Sequence, residues 1–368
     1  MSAGRILATY RIAASKSESR VRAEALAVEQ SVEMPLPAIG DKRILADVVA
    51  TVESIKPHAG EFDVVLGIAP ATTGNEASQL MNMLFGNCSL QPEVELVDVA
   101  FPAGYEKAFP GPRFGIEGIR VATGVRTGPL TCTALKPQGS SAADLAGLAR
   151  IFTLAGIDVI KDDHGIANQA SSPFAERVPA VQRAVSEANR ATGGRTIYAP
   201  TLSGGGRSLG EQARIAKDCG VGMALIAPML VGIPAFVELQ VDLDIPVMAH
   251  PAFAGADRIA PPVLLGTLFR LFGADATIFP NHGGRFTYSR ATCMAIAHNA
   301  RAPWAAVRPT LPVPAGGMTL ERVDEMAEGY GEDTMLLIGG GLLTAGYKLL
   351  DRAREFVEKV RSRAGETR

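Results

Sequence analysis

Hydrophobic and polar positions alternate in two different ways along this chain. In the first third, residues 6–13, 44–55, 63–68 and 94–101 read as strands, set apart by helical spacing over residues 19–30 and 75–85. Ser17 or Ser19 is placed to cap the first helix. Two helices against an antiparallel sheet predict a small α+β, ferredoxin-like domain over residues 1–125. From about residue 128 the pattern becomes a short apolar run followed by a helical stretch, repeated. The runs are 130–135, 158–162, 196–201, 223–227, 246–250, 276–279, 305–309 and 335–338. Runs apolar on both faces suit parallel strands covered on both sides. Eight such units predict a (β/α)8 TIM barrel over residues 126–368, with a C-terminal helix. An open doubly wound sheet is the competing architecture, but the first strand-to-helix turn lacks G-x-G-x-x-G.

Unusual polar groups sit at the ends of these strands. They are Lys136-Pro137-Gln138-Gly139, Lys161-Asp162-Asp163-His164, His250-Pro251, Asn281-His282-Gly283-Gly284-Arg285, Ala315-Gly316-Gly317 and Gly339-Gly340-Gly341. In a barrel these ends share one face, where barrel chemistry takes place. Composition narrows the field further. A net charge of -2 gives no electrostatic case for nucleic acid or an anionic membrane. No apolar stretch approaches the roughly 18 residues of a membrane span. The beginning of the chain has no apolar signal core, and the 4 cysteines form no CxxC pair. A cytoplasmic protein with reduced thiols is expected.

Each constellation has a functional and a plain reading. A lysine at an apolar strand end is costly if buried and alone, and Asp163 and His164 beside Lys161 offer oxygen and nitrogen metal ligands. The plain reading is a loop salt-bridge cluster. Lys136 is a candidate base or electrostatic stabiliser, or a surface lysine before a loop. Gly316, Gly317, Gly339, Gly340 and Gly341 let backbone N–H groups converge where barrels often bind phosphate, or they are turn residues. Arg285 is suited to a second anion. His282 belongs to the same anion-binding stretch and His250 is placed to contact a ligand, or each is a hydrogen-bonded strand-end residue.

These strand ends, in this order, resemble the large subunit of RuBisCO and its RuBisCO-like relatives. Leu135-Lys136-Pro137 resembles the family's lysine-proline, and Gly156-Ile157-Asp158-Val159-Ile160-Lys161-Asp162-Asp163 its G-x-D-x-x-K-x-D motif. Phe85-Gly86-Asn87 and Phe109-Pro110-Gly111-Pro112 resemble further family motifs. The resemblance implies a homodimer, with Glu29 and Asn87 of one chain facing the barrel of the other. It implies a divalent metal, Mg²⁺ or Mn²⁺, held by Lys161, Asp163 and His164, with Lys161 carbamylated by CO2.

Departures from the family pattern point away from carbon dioxide fixation. His164 stands where the family has a glutamate ligand, Gln138 replaces a lysine, Pro251 an arginine and Ala315 a serine. The stretch after strand six carries no lysine. What the resemblance still implies is metal-assisted enolisation of a phosphorylated keto-sugar. The expected activity is an isomerase or tautomerase of the 5-methylthioribulose 1-phosphate type. Lys136 is the first choice of base, with His282 and His250 as alternatives. The second reading is a decarboxylase or transcarboxylase/hydrolase of a 3-oxo sugar-acid phosphate (3-oxo-isoapionate 4-phosphate type), with Arg285 or Arg308 on the carboxylate. The third is a non-catalytic binding relic.

Overall fold

The computed structural model describes residues 4–363. The chain divides into two compact units. One runs to Pro110 and takes in Ala254–Leu264 and Trp304–Val307; the other comprises Gly111–Phe253, Leu265–Pro303 and the chain from Arg308 onward.

The first unit is built on a four-stranded antiparallel sheet of order β2-β3-β1-β4. Its strands are β1 Ile6–Ile12, β2 Thr51–His58, β3 Glu61–Ile68 and β4 Val94–Ala100. Ile6, Ala8, Tyr10 and Ile12 of β1 are all buried, as the period-two pattern predicts. Ala59 and Gly60 join β2 to β3 with φ of +48° and +93°, the two left-handed residues that a tight hairpin turn requires. The helix Ser19–Glu29 buries Ala23, Leu26 and Ala27 against this unit. Neither Ser17 nor Ser19 caps it: Glu18 occupies the cap position, and Ser19 Oγ donates to the Lys16 carbonyl instead. The predicted strand 44–55 begins as a π-helical turn, Ile44–Val48. There the Arg5 guanidinium takes the carbonyls of Ala46 and Val49, which a strand would need for its ladder.

The second unit is the barrel. Its strands are β5 Leu130–Leu135, β6 Val159–Asp162, β7 Ile197–Ala199, β8 Thr201–Leu202, β9 Ala224–Ile226, β10 Val247–Ala249, β11 Ala276–Pro280, β12 Leu311–Ala315 and β13 Met335–Leu337. They form two parallel arcs, β13-β5-β6-β7 and β8-β9-β10-β11-β12. Pro200 interrupts one strand to give β7 and β8, and its carbonyl still accepts Leu225 N–H at 2.9 Å. The interior is filled by Cys132, Val159, Met223, Leu225, Met248, Ile278, Val313 and Met335, among others, so the barrel is a packed core.

Strand seven is not where the pattern placed it. Residues 305–309 form no strand, and β12 is Leu-Pro-Val-Pro-Ala, Leu311–Ala315. Leu311 N–H donates to Asp275 O, so the odd-numbered nitrogens face β11, and those of Pro312 and Pro314 face the other way. On that side, toward β13, no ladder forms, and the missing donors cost nothing.

The helix Gly115–Thr123 packs with the barrel, which puts the division of the chain ahead of residue 125. Ile116 and Ile119 enter the barrel core, and Asp275 Oδ1 caps the helix by accepting the Phe114 and Gly115 N–H groups, each at 2.7 Å. Among the described residues no helix is long and apolar enough to cross a membrane. All four cysteines are free.

Candidate active site

The alternation of β6 sorts its charged residues. Val159 points into the barrel core, so Lys161 shares the inner side and Asp162 faces the surrounding helices. Asp162 accepts Arg177 Nε at 3.1 Å, the Tyr198 hydroxyl at 2.8 Å and Thr201 N–H at 3.1 Å. Both Asp162 and Arg177 side chains are 0% exposed. Arg177 also donates to the carbonyls of Ser172 and Ala167, fixing the loop that follows β6. Sequence reading missed this anchor, although its carboxylate lies inside the recognised motif.

On the inner side, Lys161 is 3% exposed, and among the described residues its ammonium donates only to the neighbouring Asp162 carbonyl, at 3.0 Å. Burial pushes its pKa below the ordinary lysine value. Lys136, immediately after β5, reaches across to Asp163 with Nζ 2.5 Å from Oδ1. Burial pushes the Asp163 carboxyl up, but hydrogen bonds from His164 and Lys136 outweigh it, and the group is held well below the usual carboxylate range. His164 Nδ1 lies 3.6 Å from Asp163 Oδ1, and its ring stacks on that of His250 at 4.3 Å with a 14° tilt. His250 Nδ1 accepts Ala252 N–H, which places the ring proton on Nε2. Burial, with Lys161 and His164 adding to it, lowers the His250 pKa to about 2. His250 is therefore a neutral donor and a poor base.

Lys136, Lys161, Asp163, His164 and His250 thus form one cluster. Among the described residues no group of three or more His, Cys, Asp or Glu side chains gathers to hold a metal ion. Asp163 and His164 supply two donors. An ammonium at Lys161 supplies none, whereas a carbamate there would complete the set with oxygen. The residues fit a divalent cation on that condition.

The loop after β11 lies on the loop after β12. Arg285 N–H donates to the Gly316 carbonyl at 3.0 Å. A Cβ at Gly284 would stand 2.0 Å from that same carbonyl oxygen, so only glycine permits the approach. The Phe286 ring and the Arg285 side chain cover Gly316 and Gly317. Gly339 lies beside the Lys136 side chain, Gly340 borders open space, and Gly341 packs on the Met318 carbonyl. Arg308 does not join the site. It precedes β12, at the opposite end of the barrel, beside Gly115.

His282, after β11, has Nε2 3.5 Å from Glu325 Oε1. Neither Glu325 nor its partner Arg322 was singled out from sequence, where their spacing reads as an ordinary helical ion pair. Glu29 and Asn87 lie in the other unit, where Asn87 Nδ2 donates to Glu29 at 2.9 Å and to Glu33 at 3.0 Å.

Comparison with known proteins fits this geometry. Residues 115–244 match the ribulose bisphosphate carboxylase large chain, catalytic domain. A Rhodopseudomonas palustris protein named ribulose bisphosphate carboxylase-like protein 1 is 50% identical over 97% of this chain and 98% of its own. A 5-methylthioribulose-1-phosphate isomerase of Rhodospirillum rubrum is 50% identical over 97% of this chain and 96% of its own. The crystal structure of a Rubisco-like protein from Rhodopseudomonas palustris superimposes with a TM-score of 0.92 at 49% identity, covering 99% of both chains. With the barrel, the strand-end lysines and similarity along nearly the whole length, this chain belongs to the RuBisCO superfamily, in its RuBisCO-like branch and not among the true carboxylases.

Proposed function

We propose that this chain enolises a phosphorylated keto-sugar and works as an isomerase of the 5-methylthioribulose 1-phosphate type. The observation that carries the reading is the cluster around buried Lys161, which places a lysine ammonium, a carboxylate and two imidazoles at the C-terminal ends of barrel strands. The isomerase named in Rhodospirillum rubrum supports the choice of substrate.

A divalent cation, Mg²⁺ or Mn²⁺, held by Asp163, His164 and carbamylated Lys161, would polarise the substrate carbonyl when bound. The chain's own residues do the rest. The Lys136 ammonium, as it stands against Asp163, is in the form that stabilises an enolate oxygen, not the form that takes a proton. His282 is the group left to remove the proton beside the carbonyl and return it to the neighbouring carbon. Arg285 and the N–H groups at Gly316, Gly317, Gly339, Gly340 and Gly341 hold the phosphate. Glu29 and Asn87 complete the site from a second copy in a homodimer.

Among the described residues Arg285 makes no ion pair, and its guanidinium rests over the Phe286 ring at 5.6 Å. A free cation there suits a carboxylate as well as a phosphate, which favours the decarboxylase or hydrolase of a 3-oxo sugar-acid phosphate as the second reading. Incubation with each substrate class, Mg²⁺ and bicarbonate, with ¹³C NMR of the products, separates the two. An isomer of 5-methylthioribulose 1-phosphate with every carbon retained is expected. Release of labelled CO2 from the oxo-acid, with no isomerisation of the ketose, would replace the first reading by the second.

A further inference from the structure

We infer that Glu325 and Arg322 are positioning residues that hold His282 as the acid–base group of the reaction, an inference resting on the enolisation reading. The strand-end residues 281–283 are gripped by the elements that follow β12. Arg322 donates Nη1 to the His282 carbonyl at 2.7 Å. The same guanidinium grips Glu325 through two bonds, Nε to Oε2 at 3.0 Å and Nη2 to Oε1 at 2.9 Å. Glu325 in turn presents Oε1 to His282 Nε2 at 3.5 Å. One arginine therefore fixes both the backbone of the histidine and the carboxylate that faces its ring.

The neighbours make this arrangement specific. Gly283 has φ +66°, and a Cβ there would stand 3.2 Å from Arg322 Nη1, so glycine lets the guanidinium lie against the backbone. Asn281, one residue earlier, is fully buried and accepts the Tyr330 hydroxyl at 2.5 Å, while its amide reaches Met318 Sδ at 3.1 Å. Residues of one helix, Val323–Tyr330, and of the turn before it thus lock three consecutive residues of the strand end. The His282 side chain is largely buried. A ring so enclosed, with one nitrogen against a fixed carboxylate, keeps its proton on Nε2 and offers the Nδ1 lone pair as a base. The carboxylate then stabilises the imidazolium once the proton is taken. The charged and titratable groups around this pair are Arg322, Arg290, the Cys293 thiol in contact with the His282 backbone, and Tyr330. Arg322 leads the interactions that hold Glu325 below its ordinary pKa, so its charge persists across the working range.

The test uses the full chain and two readouts. The first is ¹⁵N NMR of the neutral His282 ring in the wild type and in Glu325→Ala. The wild type is expected to carry the ring proton on Nε2, against the carboxylate, and Glu325→Ala to show a mixture of the two tautomers. The same tautomer in both proteins overturns the inference. The second is turnover of 5-methylthioribulose 1-phosphate. Glu325→Gln is expected to lower kcat by roughly tenfold to a hundredfold with KM within about twofold. Glu325→Asp should restore part of the rate. In a His282→Gln background, Glu325→Gln should cost nothing further. Additive losses, or a rise in KM with kcat unchanged, would mark a purely structural strap and overturn the inference. A wild-type enzyme that exchanges no proton with this ketose overturns the enolisation reading instead. The ring tautomer seen by NMR then still decides whether Glu325 acts on His282.

Discussion

Replacing Arg177 by Met should destabilise the barrel in a pH-dependent way. Arg177 and Asp162 are fully buried, and Arg177 is the only cation on that carboxylate among the described residues. Breaking a buried pair from one side costs about 3–5 kcal/mol, because the remaining charge has no partner. With an unfolding entropy of about 2.1 cal/mol/K per residue, a chain of 368 residues loses about 4–7 °C in Tm. The sign of the pH effect follows from Asp162. Burial raises its pKa in the folded protein and Arg177 opposes the rise, so Arg177→Met raises it further. A carboxyl whose folded pKa lies above its unfolded value contributes its stability below the unfolded pKa and loses it as pH rises through the folded one. The defect should therefore be larger at pH 8 than at pH 5. Adding Asp162→Asn, which keeps an acceptor for Tyr198 and Thr201, should recover most of the loss. Thermal melts followed by circular dichroism at both pH values measure all of this. A loss under about 1 kcal/mol, a defect that shrinks toward pH 8, or no recovery in the double variant would refute the reasoning.

Three other substitutions probe different parts of the chain. Gln240 is 1% exposed and neither polar atom of its side-chain amide finds a partner among the described residues, so Gln240→Met should raise stability by about 1–2 kcal/mol in denaturant melts; a loss would show that the amide is satisfied. Gly284→Ala puts a methyl group against the Gly316 carbonyl and should lift the loop, with trypsin cleaving after Arg285 about tenfold faster; an unchanged rate would contradict the tight docking. His164→Glu should move the metal preference toward Mg²⁺ in equilibrium binding, and the same order of metals in both proteins would remove His164 from the ligand set.

The fold was legible wherever local pattern and burial agree. The alternation of β1 and the apolar runs of β5, β6 and β13 mark their own positions. Strand seven was hidden because Pro312 and Pro314 look like breakers until the partnerless side of β12 is known. The start of the 44–55 run was misread because Arg5, far away in sequence, captures its carbonyls. The cluster at the barrel mouth could be read from Lys136, Lys161, Asp163 and His164, since charged residues ending apolar strands are conspicuous. Arg177 and Glu325 could not, because each looks like a solvent-facing helical residue and acquires its meaning only from the strand end that it meets. Asp162 had the opposite problem, as it is indistinguishable from Asp163 until strand alternation assigns them to opposite sides.

The most direct test of the central claim is proton NMR in D2O of 5-methylthioribulose 1-phosphate with the wild-type protein, Mg²⁺ and bicarbonate, beside Lys161→Ala. The account predicts that the wild type replaces the proton next to the carbonyl by deuterium and forms an isomer without loss of carbon, while Lys161→Ala does neither. Equal exchange by both proteins, or none by the wild type, would contradict it.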